Sequence, residues 1–225
     1  MAQAICIGMT QKDETALDGL LEGYRRFRDN DWVSERERWS ALKDGQAPKT
    51  MVIACSDSRV DPAQIFDVDP GQIFVVRNVA AMVPPFETTP GLHGVSAALE
   101  FAVQFLKVSE VMVMGHGMCG GCQAALTQDL HGNEPGQGGF VADWIGLLDE
   151  VRDPIAQSMG TTGRDAEKAM ELAAVKASLK NLRTFPCVQQ KEEHGTLTLR
   201  GAYFAISDGV LHLLDENTGE FEPAS

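Results

Sequence analysis

Positive charge is scarce in this chain: 19 Lys and Arg stand against 32 Asp and Glu, a net charge of −13 over 225 residues. The clustered cations that a phosphate backbone demands are missing, so nucleic acid is not an expected partner. Long apolar runs are missing too. No stretch approaches about 18 consecutive apolar residues, so no membrane span is expected. The opening Met1-Ala2-Gln3-Ala4-Ile5-Cys6 has neither a basic region nor an extended apolar segment of the export type, and a cytoplasmic protein is expected. The five cysteines are an odd and small set for this length. That disfavours a disulfide framework and leaves reduced thiols for other chemistry. Without an internal repeat or a dividing linker, a single domain over residues 1–225 is expected, large enough to bury a substantial core.

What is present falls into three stretches. Residues 1–45 read as a helical arm. Leu17, Leu20, Leu21, Tyr24 and Phe27 recur at helical spacing from about Asp13 to Asp29. Ser34 and Glu37 stand in capping-box spacing before a second helix carrying Trp39 and Leu42. Such an arm either packs on its own core or crosses onto a second subunit. Residues 46–130 change pattern. Met51-Val52-Ile53-Ala54, Ile73-Phe74-Val75-Val76 and Val111-Met112-Val113-Met114 are short continuous apolar runs, which suit strands buried on both faces of a parallel sheet. Asp61 before Pro62 marks a helix start, and a longer helix spans about Gly94 to Lys107. Residues 131–225 hold a glycine-rich loop from His131 to Gly139, then helices around Val141–Leu148 and Arg164–Arg183. After them, Thr196–Ile206 and Val210–Leu214, joined at Asp208-Gly209, read as a hairpin at the sheet edge. The fold class is α/β: a central, mostly parallel sheet with an antiparallel edge strand or hairpin, flanked by helices.

Two of the apolar runs end on chemistry. Cys55-Ser56-Asp57-Ser58-Arg59 follows the first, and His116-Gly117-Met118-Cys119 follows the third. Open α/β sheets gather ligands at the C-terminal ends of their strands, so both segments belong at one rim. Two thiols and an imidazole suit Zn²⁺, and three protein ligands leave one tetrahedral position open, as in a catalytic site. Cys119 at the start of a helix favours the thiolate. Asp57 and Arg59 are spaced for a charge-assisted pair. Cys119 to Cys122 also spells C-x-x-C, a redox dithiol or half of a structural zinc site. That reading requires neither His116 nor Cys55, and Cys122, one turn into the helix, is expected to face the packing.

Ala54-Cys55-Ser56-Asp57-Ser58-Arg59-Val60, Pro70-Gly71 through Arg77-Asn78-Val79-Ala80, and Gly115-His116 through Cys119-Gly120-Gly121 together resemble a β-class carbonic anhydrase. The resemblance runs from about Gln46 to Leu126. It implies one Zn²⁺ per subunit on Cys55, His116 and Cys119, with Asp57 and Arg59 as the catalytic dyad and Asp57 a fourth ligand only in a closed state. The implied reaction is the reversible hydration of CO₂ to bicarbonate and a proton, with zinc-bound hydroxide as nucleophile. It also implies a homodimer or tetramer whose substrate pocket is shared: Gln46 corresponds to an amide donated from the adjacent subunit, and Phe74, Val79 and Phe101 to the apolar wall. Gln46 and Met82-Val83-Pro84-Pro85 match the plant-like subclass. Val52 stands where the bicarbonate-inhibited subclass has Trp, so an open zinc is expected at neutral pH. Phe101 replaces a frequent Tyr, and Ala81 a usual Asn. Rival readings are a CS₂-type hydrolase on the same fold and a noncatalytic zinc or thiol-redox module. Among His93, His131, His194 and His212, none is singled out as a proton shuttle.

Overall fold

The structure is a computed structural model, and it describes residues 15–129 and 134–224. Cys6, His131 and the first residues of the expected Asp13–Asp29 helix lie outside the described residues. The chain divides into two compact units, one up to Gly45 and one from Gln46.

In the first unit, helix α1 (Ala16–Arg26) opens on a reciprocal capping box. The Thr15 hydroxyl accepts from the Asp18 amide while the Asp18 carboxylate accepts from the Thr15 amide at 2.9 Å. A π-helical turn (Phe27–Asp31) carries the chain directly into α2 (Trp32–Ser34), and α3 (Arg36–Leu42) follows. The capping box expected at Ser34 and Glu37 does not form. Helical backbone already runs up to Ser34, whose hydroxyl donates to the Asp31 carbonyl, and α3 starts after Glu35 with no side-chain cap. Phe27 and Trp39 meet edge to face at 5.7 Å. Leu17, Leu20 and Tyr24 stay exposed.

The second unit is built on a six-stranded sheet in the order β2-β1-β3-β4-β5-β6. Strands β1 (Thr50–Cys55), β2 (Ile73–Asn78), β3 (Glu110–His116) and β4 (Thr198–Ala205) are parallel; β5 (Val210–Asp215) and β6 (Glu220–Pro223) run antiparallel. The continuous apolar runs have the expected cause. Met51, Ile53, Val111 and Val113 face one core, shared with Leu99, Val103 and Leu182. Val52, Ala54 and Met114 face the other side. The hairpin at Asp208-Gly209 joins β4 to β5, with Gly209 at φ 72°, but it is not the edge. Strand β6 lies outside it, too short and charged to stand out as an apolar run.

The remaining helices are α4 (Pro62–Ile65), α5 (Gly94–Glu100, prolonged by a π-helical stretch Phe101–Leu106), α6 (Gly120–Thr127), α7 (Gly139–Ile145), α8 (Asp149–Met159), α9 (Arg164–Leu182) and α10 (Pro186–Glu193). Helix α9 lies close against β3 because Gly115 has no side chain: a Cβ there would sit 2.6 Å from Val175 Cγ2. Among the described residues no helix is long and apolar enough to cross a membrane.

Candidate metal centre and its surroundings

Strands β1 and β3 are hydrogen-bonded neighbours, and their last residues are Cys55 and His116. Cys119 is the N-cap of α6. Three residues spread over 65 positions therefore converge: their ligand atoms lie within 4.8 Å of one another, and all three side chains are buried. The two sulfurs are 4.0 Å apart. His116 Nδ1 pairs with the Gly117 carbonyl at 2.9 Å. A carbonyl only accepts, so the proton resides on Nδ1 and the lone pair on Nε2. That Nε2 is buried without a hydrogen-bond partner, a costly condition for a polar atom unless something else binds it. The Cys119 thiol and burial push the Cys55 thiol up to about 12. Cys119 rises to about 12 as well, chiefly through Cys122. A divalent cation reverses this preference, since thiolates coordinate it directly. Two sulfurs and an unpartnered imidazole nitrogen fit Zn²⁺. Cys122 is buried one turn into α6 and stands outside this ligand group.

The Asp57 carboxylate sits beside these donors, with Oδ2 4.0 Å from His116 Nε2. Arg59 grips it: Nε donates to Oδ1 at 2.9 Å, Nη2 to Oδ2 at 2.6 Å, and the Arg59 amide to Oδ1 at 3.0 Å. The guanidinium holds the carboxyl well below the usual carboxylate range. Arg59 Nη2 also reaches the Met118 carbonyl at 3.0 Å, tying the dyad to the second ligand segment.

Arg77, visible in the sequence only as part of a motif, secures the loop that carries the dyad. It donates to the Cys55 carbonyl (2.9 Å), the Asp57 carbonyl (2.6 Å) and the Asp61 carboxylate (2.9 Å). Asp61 also caps α4 through the amides of Ala63 and Gln64, as its position before Pro62 indicated. After β2 the chain turns through Ala80 and Ala81, at φ 62° and 54°. That left-handed region explains why Asn suits position 81 and why Ala is strained there. The Asn78 side chain closes the turn with two bonds to the Met82 backbone.

The four expected pocket residues part company. Val79, half exposed, stands at the rim beside α6: a Cβ on Gly121 would lie 2.7 Å from its Cγ1. Phe74 pairs with Met51 in the register that places Asn78 beside Cys55. It is four residues, about 13 Å, from that end of the sheet. Phe74 instead meets the Phe101 ring at 5.9 Å, and Phe101 stacks on Phe105 at 5.7 Å. Gln46 is exposed and precedes β1, away from the end at which Cys55 lies. His93 lies against Thr89 and Glu87, and His212 packs on Tyr203, so neither belongs to the ligand group.

Residues 50–211 match the carbonic anhydrase family model. The chain is 32% identical over 199 residues to β-carbonic anhydrase 5 of Arabidopsis thaliana, a chloroplastic protein; the match takes in 88% of this chain and 64% of that one. The β-carbonic anhydrase CcaA superposes with a TM-score of 0.86 at 30% identity, over 93% of this chain and all of that one. A tetrameric β-carbonic anhydrase from Sordaria macrospora gives 0.76 at 28% identity, covering 88% and 96%. Sequence and fold agree along most of the chain's length, and the chain belongs to the β-carbonic anhydrase family.

Proposed function

We propose that this chain is a zinc enzyme interconverting carbon dioxide and bicarbonate, with Cys55, His116 and Cys119 as metal ligands and Asp57 with Arg59 as the catalytic dyad. The observation that carries the reading is the unpartnered Nε2 of His116, set among two thiols and 4.0 Å from a carboxylate pinned by an arginine. Zn²⁺, when bound, supplies a Lewis acid that lowers the pKa of water from about 15.7 toward about 7. Asp57, ionised and therefore only an acceptor, takes a hydrogen bond from the attacking water and aims its lone pair at the carbon. Arg59 consumes the other carboxylate positions and keeps Asp57 off the metal, the open state expected of a plant-like member with Val52 in place of Trp. Val79 lends the rim an apolar wall suited to CO₂, which is nonpolar overall.

Gln46, Phe74 and Phe101 serve the pocket of a second copy, so the working form is a homodimer or tetramer. Their position away from this chain's own ligand group supports that assignment, as does the exposure of Phe101 and Phe105. So does the tetrameric state of the Sordaria proteins. The exposed Leu17, Leu20 and Tyr24 suit an arm that crosses onto that copy. Free thiols at Cys55, Cys119, Cys122 and Cys187 suit a reducing compartment, here the cytoplasm.

The test is CO₂ hydration by the purified full chain, with zinc quantified in the same sample. Activity proportional to zinc, approaching one ion per chain, is expected. A zinc-loaded preparation without hydration activity overturns the reading.

A further inference from the structure

We infer that Glu171 is a positioning residue for the metal-ligand loop, holding the backbone of Cys119 so that its sulfur meets the ion; this deepens the zinc reading above and rests on it. Glu171 lies in the middle of α9 and is 2% exposed, on a stripe otherwise built from Met170, Ala174 and Val175. A carboxylate there needs partners. Arg164, two turns earlier, grips it at two points: Nη1 donates to Oε1 at 2.8 Å and Nη2 to Oε2 at 2.7 Å. The Tyr203 hydroxyl donates to Oε2 at 2.8 Å. Oε1 then accepts one further bond, from the Cys119 backbone N–H at 3.3 Å.

That bond completes a pattern. All three residues of the loop after His116 are anchored through their backbone, each by a different part of the chain. The Gly117 amide donates to the Phe204 carbonyl on β4 at 3.0 Å, and the Met118 carbonyl accepts from Arg59. Cys119 is held by Glu171 on α9. The loop needs such holding, because Met118 is in the left-handed region at φ 56°. Gly117 lets the loop close on the cluster, since a Cβ there would lie 3.1 Å from the Tyr203 hydroxyl. Apolar residues could join α9 to β4 without the cost of burying an ion pair. They could not accept the Cys119 N–H. Outer-shell groups that orient a ligand in this way typically govern metal affinity.

The experiment uses the full chain and measures Zn²⁺ affinity by competition with a chromophoric chelator, together with the sulfur-to-metal absorption of the Co²⁺-loaded protein. Glu171→Ala is expected to weaken zinc binding by about 10- to 100-fold and to alter the Co²⁺ spectrum. Tyr203→Phe removes a bond to the same carboxylate but leaves the Cys119 contact, so it is expected to keep wild-type affinity and spectrum. Glu171→Gln keeps an oxygen for the amide and is expected to lose less affinity; it carries the test if the alanine variant does not fold. Wild-type affinity and spectrum in a folded Glu171 variant overturn the inference. So does a Tyr203→Phe loss as large as that of Glu171→Ala, which would assign the cluster to general packing. A wild-type chain that takes up no zinc overturns the underlying reading as well, and so is distinguishable from either.

Discussion

Asp57 and Arg59 form a two-point ion pair in which both carboxylate oxygens are engaged, at 2.9 and 2.6 Å, and the Arg59 amide adds a third bond. Such a planar, bidentate pair fixes direction as well as charge. Across the site Oδ2 lies 4.0 Å from His116 Nε2. Asp57→Ala is therefore expected to retain zinc while losing CO₂ hydration by about 100-fold or more, the scale of positioned acid–base groups. Stopped-flow hydration on zinc-quantified protein measures it; undiminished turnover would remove Asp57 from the mechanism.

The two thiol readings separate on a single atom. Cys122 is buried beside Cys119 but outside the ligand group. Cys122→Ser is expected to keep zinc and hydration, whereas Cys55→Ser or His116→Ala is expected to lose both. Chelation of the wild-type chain should abolish activity, and added Zn²⁺ should restore it. A redox module would behave in the opposite way, depending on Cys122 and indifferent to the metal.

Gly115 is a matter of space. A methyl group there would press to 2.6 Å from Val175 Cγ2, next to His116. Gly115→Ala is expected to cost about 1–3 kcal/mol through overpacking. In a chain of this size each kcal/mol lowers the melting temperature by roughly 2–4 °C. An unchanged thermal transition would show that α9 yields more readily than this packing implies.

The stacked Phe101 and Phe105 rings are 44% and 68% exposed, a large apolar surface for a solitary chain. Phe101→Asp together with Phe105→Asp is expected to reduce the assembled mass measured by light scattering and to depress hydration. An unaltered mass would place the interface elsewhere.

Much of this was legible in the sequence because it is local. Short continuous apolar runs announce strands buried on both faces; Cys55 directly follows one such run, and His116 follows another after a single glycine. Asp61-Pro62 announces a helix start by backbone chemistry alone. Other features depend on what comes from afar. Ser34 and Glu37 have the right spacing for a cap, yet helical backbone running through Phe27–Asp31 overrides it. Glu171 could have been noticed as a charge interrupting an apolar stripe, with Arg164 seven residues earlier on the same face. Its meaning needed Tyr203 and Cys119, brought together only by the folded sheet. The resemblance groups Phe74 and Phe101 with Val79 as one wall, whereas in a single chain Phe74, with Phe101 packed on it, lies at one end of β2 and Val79 follows the other.

The adjacency of β1 and β3 has a consequence for durability. An ion gripped by Cys55 on one strand and His116 on the next would act as a rivet across an interior seam of the sheet. Prying that seam apart must first expel the ion, so tight binding would resist proteolysis and denaturant in proportion to the logarithm of free zinc. The same cation would then serve as reagent and as fastener.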